Sequence, residues 1–127
     1  MKKLLLLSIL FSSSLYASEA DVGKVCKAAS AAMFGRDHKI MQLEKIESAV
    51  AYVHYIRPVD GTLWAIKCKL IGNQVMWASN NPDSIGRWRD DPLDEKVFYN
   101  VKDDQLSITE MYSDGSNIKK TYPVKEL

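Results

Sequence analysis

The segment at residues 62–71, TLWAIKCKLI, constrains the fold of this chain more than any other. Successive side chains of a β-strand point to opposite faces of the sheet. One face of this segment would carry Trp64, Ile66, Cys68 and Leu70, and the other Ala65, Lys67 and Lys69. Large apolar groups on one side and lysines on the other predict a half-buried strand, with Cys68 pointing into the core.

The other cysteine of the chain, Cys26, lies on the apolar side of a predicted helix. Two cysteines that face one core from two different elements can meet in a disulfide. The alternative is a pair of buried free thiols, because free cysteine is among the most buried residue types. The choice between them depends on the redox compartment of the protein.

The N-terminal sequence indicates export. Residues 1–3 (MKK) are basic, residues 4–11 are apolar apart from Ser8, and a small residue, Ala17, follows a serine-rich stretch. This pattern predicts a secretory signal peptide over residues 1–17. An uncleaved membrane anchor would need about 18 apolar residues, which this run lacks. We therefore expect a periplasmic or secreted protein, whose compartment favours a disulfide between Cys26 and Cys68.

The remaining residues, 18–127, have the size of a single domain. The full chain carries 17 basic and 16 acidic side chains, and loss of Lys2 and Lys3 leaves 15 against 16. A nearly neutral protein has no long-range field to attract nucleic acid or anionic lipid. We expect no nucleic-acid partner and, after signal cleavage, no membrane span.

The pattern of the domain predicts one helix followed by strands. Residues 18–34 place apolar side chains at helical spacing, and Gly35 is suited to end the helix. Strand-like patterns separated by turn residues follow at 40–46, 49–57, 62–71, 74–79, 96–101, 106–112 and 117–124. The first of these, 40–46, could equally continue as helix.

These elements predict an α+β fold. We expect the N-terminal helix to pack on a curved antiparallel meander sheet of about six or seven strands, forming a half-open barrel. A closed barrel is the alternative. Of the tryptophans, Trp64 and Trp77 lie in predicted strands and are expected in the core.

No stretch of the sequence indicates catalysis, a metal site or a cofactor. The two histidines, His38 and His54, have no zinc-site spacing, and no serine lies in a nucleophile elbow. Paired acidic residues lie in predicted turns, where solvation is their usual state. An enzyme would need His54 and a carboxylate such as Glu110 to converge in a cleft. We therefore expect a protein that is not an enzyme.

Glu110 does not fit the alternation of its predicted strand, because it shares a face with apolar residues. It could lie at the solvated end of the strand, which we favour. It could instead point inward and pair with Arg57 or a tyrosine.

The longest irregular segment is 80–95, and it contains the partner-binding candidates Arg87, Trp88, Arg89 and Asp91. Tryptophan and arginine are enriched where proteins bind one another, and loops on rigid scaffolds often carry function. In the alternative, Trp88 plugs the open end of the barrel while the arginines pair with Asp90 or Asp91.

The sequence therefore predicts a small exported interaction protein without enzymatic activity. It would bind an unidentified periplasmic or envelope protein through the 80–95 loop, in a role such as that of an inhibitor or immunity protein. The alternative is a small-ligand carrier that uses the concave face of the sheet.

Overall fold

The computed structural model describes residues 22–127. The predicted signal peptide at 1–17, and residues 18–21 of the predicted helix, lie outside the described residues. One helix, α1 (Val22–Phe34), precedes the strands. The strands are β1 (Gln42–Glu47), β2 (Val50–Ile56), β3 (Leu63–Ile71), β4 (Gln74–Asn81), β5 (Ser84–Ile85), β6 (Lys96–Lys102), β7 (Gln105–Met111) and β8 (Asn117–Pro123).

Helix α1 is rich in alanine, which favours helix and adds little bulk, so the helix lies close to the sheet. It ends where the sequence predicts. Gly35 adopts a left-handed φ of 64°. The Arg36 N–H then donates to the Ala31 carbonyl over 3.0 Å, which satisfies a terminal carbonyl of the helix.

The strands form one antiparallel sheet in the order β1-β2-β3-β4-β6-β7-β8, with β5 paired to β4. The α+β prediction is confirmed, but the sheet has eight strands instead of six or seven. The extra strand is β5, two residues long, inside the segment predicted to be irregular. The sheet is not closed, since β1 and β8 are its unpaired edges, so the closed-barrel alternative is wrong.

The first predicted strand is displaced along the chain. Its start at residue 40 is wrong, because His38–Ile40 forms a short 3-10 helix and β1 begins at Gln42. The hairpin turns at Ser48–Ala49 and Asp103–Asp104 are formed by residues with positive φ, as tight two-residue turns require. The other strand limits lie within two residues of the predicted ones.

The predicted disulfide joins α1 to the sheet. Cys26 and Cys68 are bonded, with their Cα atoms 5.7 Å apart, and both side chains are fully buried. Around the bond, α1 packs on one face of the sheet, which we call the inner face. Buried members of this core include Val25, Ala29, Val53, Ile66, Val75, Trp77, Val97, Leu106 and Ile108.

The opposite face of the sheet, which we call the outer face, carries the residues that alternate with this core. On β3 these are Ala65, Lys67 and Lys69. Among residues 22–127, no helix combines the length and the apolar character that crossing a bilayer requires.

Candidate functional site: the 80–95 loop

The first half of the 80–95 loop runs along the edge of β4. Strand β5 pairs with the end of β4, with Ile85 opposite Asn80. Beyond it, the Gly86 N–H donates to the Ser79 carbonyl over 3.0 Å, and the Arg89 N–H donates to the Trp77 carbonyl over 2.9 Å. This half of the segment is therefore anchored by backbone hydrogen bonds, although its polar sequence predicts no strand.

The second half of the loop is a turn built around two aspartates. The Asp91 carboxylate accepts a hydrogen bond from the Leu93 N–H over 2.9 Å, and the Asp94 carboxylate accepts one from the Asp91 N–H over 3.0 Å. Arg87 then donates from both terminal nitrogens to the Asp94 carboxylate, each over 2.8 Å. This bidentate contact fixes the orientation of the two halves of the loop and the distance between them.

The charged side chain of Lys96 also holds this turn. The Lys96 Nζ lies 3.2 Å from the Asp91 carbonyl, 3.4 Å from the Pro92 carbonyl and 3.3 Å from the Asp94 carbonyl. The hydrogen bonds from Arg87 are the main reason that the pKa of Asp94 is lowered to about 2. Asp94 is therefore ionised at neutral pH and available to hold the loop.

Trp88 lies on the outer face of the sheet. Its ring centroid is 4.9 Å from the Lys67 Nζ and 4.3 Å from the Lys69 Nζ, at distances that allow cation–π attraction. The indole is half-buried. This position does not fit the alternative in which Trp88 plugs the open end of the barrel, because the two lysines that it contacts alternate with the buried Cys68.

Arg89 points to the other side. Its guanidinium carbon lies 4.5 Å from the ring centroid of Trp77, which packs on the inner face against Phe34 of α1. The predicted pairing of the two arginines with Asp90 or Asp91 is wrong, since Arg87 binds Asp94 and Arg89 covers Trp77.

The candidate residues thus have different surroundings. Arg87 and Asp91 both belong to the hydrogen-bonded network of the turn, Trp88 faces the outer side, and Arg89 faces the inner side. The structure does not bring the four side chains to one point.

Two residues of the loop that were not predicted as candidates are strongly exposed. Ile85 is 69% exposed and Leu93 is 82% exposed. The sequence did contain a signal for these two candidates: both are apolar residues within a polar segment, and neither fits the pattern of a core strand. The anchored loop therefore exposes two apolar side chains to solvent, in addition to the half-buried Trp88.

The histidine and the carboxylate named for catalysis are not brought together. His54 lies on the outer face of β2, where its Nδ1 is 2.6 Å from a carboxylate oxygen of Glu44. Glu110 lies on the inner face of β7, in the same alternation as the buried Ile108. Their side chains are separated by the sheet.

Glu110 is only 5% exposed, so its expected place at a solvated strand end is wrong. The Tyr112 hydroxyl donates to it over 3.3 Å, as the tyrosine alternative predicted, while Arg57 pairs with Asp60 instead. Burial, followed by the neighbouring carboxyl group of Glu95, raises the pKa of Glu110. The fold therefore disfavours the ionised form of this carboxyl group.

Residues 22–127 contain no group of three or more histidine, cysteine, aspartate or glutamate side chains placed to hold a metal ion. A cavity of about 490 Å³ lies between the start of α1, the start of β7 and the end of β8. Its lining includes Lys24, Gln105 and Lys125.

Comparison of the chain with protein-family models, curated proteins and solved structures finds no significant match.

Proposed function

We propose that this protein is a small exported interaction protein, without enzymatic activity, that binds a protein partner through the 80–95 loop. A role such as that of an inhibitor or immunity protein fits this proposal. The partner would be a periplasmic or envelope protein, which the chain reaches after cleavage of the predicted signal peptide.

The observation that carries the proposal is an anchored loop with exposed apolar side chains. Leu93 sits on a turn held by Arg87, Asp91, Asp94 and Lys96, so its position is fixed before a partner arrives. Preorganisation lowers the entropy that association costs. An exposed leucine held in this way favours binding over a solvated loop with no role.

The outer face continues this surface. Ile56 and Leu63 are paired across β2 and β3, and they are 50% and 39% exposed. Ile85 lies opposite Asn80 of β4, and Trp88 contacts Lys67 and Lys69 of the same outer face. Exposed apolar side chains grouped beside an aromatic ring are typical of surfaces that bind other proteins.

We also propose that the sheet is curved into a half-open barrel. In the alternative function, a small-ligand carrier, the ligand would occupy the concave face. Helix α1 packs over part of the inner face, and its side chains share one core with the sheet. This packing is why we put the partner-binding loop first.

Partner capture from an envelope extract tests the proposal, with the protein processed after Ala17 as bait. Leu93→Ser and Trp88→Ala should each reduce capture of the same partner while leaving the melting temperature nearly unchanged. Val59→Ser is the matched control, because Val59 is 80% exposed in a different loop. Equal capture by the loop variants and the control would contradict the proposal.

A further inference from the structure

A second surface lies on the inner face, beyond the end of α1. The helix ends at Phe34, whose ring centroid lies 6.3 Å from that of Tyr55 and 5.9 Å from that of Trp77. Tyr55 is paired with Trp64 across β2 and β3. Trp64, predicted to lie in the core, packs against it but is only half-buried. Phe34, Tyr55, Trp64 and Trp77 therefore form one aromatic cluster.

Guanidinium groups cover this cluster. The Arg36 group lies 5.9 Å from the ring centroid of Tyr55, and the Arg57 group lies 4.9 Å from that of Trp64. Arg89 covers Trp77 in the same way. The three arginines come from the segment after α1, the end of β2 and the 80–95 loop, so the fold brings them to one face from distant parts of the chain.

Only one of these charges has an acidic partner among residues 22–127. Arg57 forms an ion pair with Asp60, whereas no carboxylate of the described residues lies within ion-pair distance of Arg36 or Arg89. The buried Trp77 Nε1 and the buried Arg36 Nε also have no hydrogen-bond acceptor there. Buried donors without acceptors are rare in folded proteins, because each costs free energy.

A stacked guanidinium keeps its N–H groups free at its edge. Those donors match the oxygen spacing of carboxylates and phosphates, and the ring beneath holds the group in place. Arg36 and Arg89 provide such donors beside the aromatic cluster, whereas Arg57 already donates from its Nε and one terminal nitrogen to the Asp60 carboxylate. We propose that Arg36 and Arg89, with the Asp60-paired Arg57 on the same face, form a binding site for a multivalent oxyanion bearing carboxylate or phosphate groups.

Isothermal titration calorimetry at low ionic strength tests the site, with citrate and tripolyphosphate as separate probes. The test variant is Arg36→Gln/Arg89→Gln. The control, Lys102→Gln/Lys119→Gln, removes the same charge from exposed positions on β6 and β8. We expect at least one probe to bind the unmodified protein, the test variant to bind it at least about ten-fold more weakly, and the control to bind within about two-fold.

The two probes separate the chemistry of the ligand. Tighter binding of citrate would indicate a carboxylate ligand, and tighter binding of tripolyphosphate a phosphate ligand. Arg36→Lys/Arg89→Lys keeps the charge but lacks the planar donor edge, so binding should also weaken in this variant. Binding of neither probe to the unmodified protein, or equal weakening in the control, would overturn the proposal.

NMR of the unmodified protein gives a readout that does not depend on the folding of any variant. The indole N–H resonances of Trp64 and Trp77 should shift on titration, while that of Trp88, on the outer face, should stay in place. Shifts of all three resonances to the same extent would contradict a site on the inner face. Partner capture through Leu93 is a separate measurement, so failure of this proposal would leave the proposed function standing.

Discussion

The disulfide-linked core and the 80–95 loop are both ordered, but different forces hold them. Around Cys26 and Cys68 the packing is apolar and fully buried. In the loop, ordered geometry comes from Arg87, Asp94 and backbone hydrogen bonds at exposed positions. The comparison indicates that the core provides most of the stability of the domain. The loop can present Leu93 without contributing much to that stability.

This difference follows from the physical chemistry of the contacts. Burial of apolar surface and closure of a long chain segment add several kcal/mol to the free energy of unfolding. Exposed ion pairs add little, because water screens them and their side chains lose entropy. They do fix geometry, which is what a recognition loop requires.

The largest expected effect is loss of the disulfide. The variant Cys26→Ala/Cys68→Ala opens a link between residues separated by 42 positions. On the chain-entropy model, such a link contributes about 4 kcal/mol to the free energy of unfolding. The melting temperature should fall by on the order of 20 °C. Urea unfolding of the variant and of the reduced native protein measures the loss, and unchanged midpoints in both would contradict the account of the core.

Substitution of Glu110 is expected to have a smaller effect in the opposite direction, namely a gain of stability. Its pKa is raised, so the native state holds this proton to higher pH than the unfolded chain does. The linked stabilisation is complete below the unfolded pKa of about 4.3 and is lost as pH rises through the native pKa. Glu110→Gln should therefore raise the free energy of unfolding at pH 7, on the order of 1 kcal/mol.

Urea unfolding between pH 3 and pH 8, on the order of one measurement per pH unit, checks this prediction. The dependence of stability on pH should be flatter in Glu110→Gln than in the native protein. Tyr112→Phe is the control, because it removes the hydroxyl that donates to Glu110 and leaves the carboxyl group buried. Lower stability of Glu110→Gln at pH 7 would contradict the claim that the native state disfavours the ionised carboxyl group.

The smallest effect on overall stability is expected from Asp94→Asn. It weakens the two-point contact with Arg87, and amide hydrogen exchange of Asp91 and Leu93 should become faster while that of β2 and β3 stays unchanged. In the native protein, loop protection should persist as pH falls, and be lost toward the lowered pKa of about 2. Asp114→Asn, in the turn between β7 and β8, is the matched control. Faster exchange throughout the core would show that the loop and the core are not separable.

Local sequence patterns predicted the core because burial there follows regular periods. Alternation along β3 identified the inward side of Cys68, and helical spacing placed Cys26 on the apolar side of α1. Gly35 identified the helix end. Each of these inferences needs only neighbouring residues, and the structure confirms the resulting disulfide.

Contacts that depend on tertiary arrangement could not be predicted in the same way. Arg87 binds Asp94, seven residues away, instead of the adjacent aspartates, because the loop turns back on itself. Trp88 lies over Lys67 and Lys69 because residues after β5 follow the edge of β4. Alternation along β7 did place Glu110 on the apolar face, but its burial at that position depends on its neighbours in space, which the sequence does not show.

The division between a stabilising core and a binding loop is tested most directly by measuring capture and melting on the same two variants. At a temperature where both are folded, Cys26→Ala/Cys68→Ala should melt far earlier than the native protein but capture the partner equally well. Leu93→Ser should melt like the native protein but capture much less. Loss of capture in the disulfide variant, or full capture by Leu93→Ser, would contradict this division.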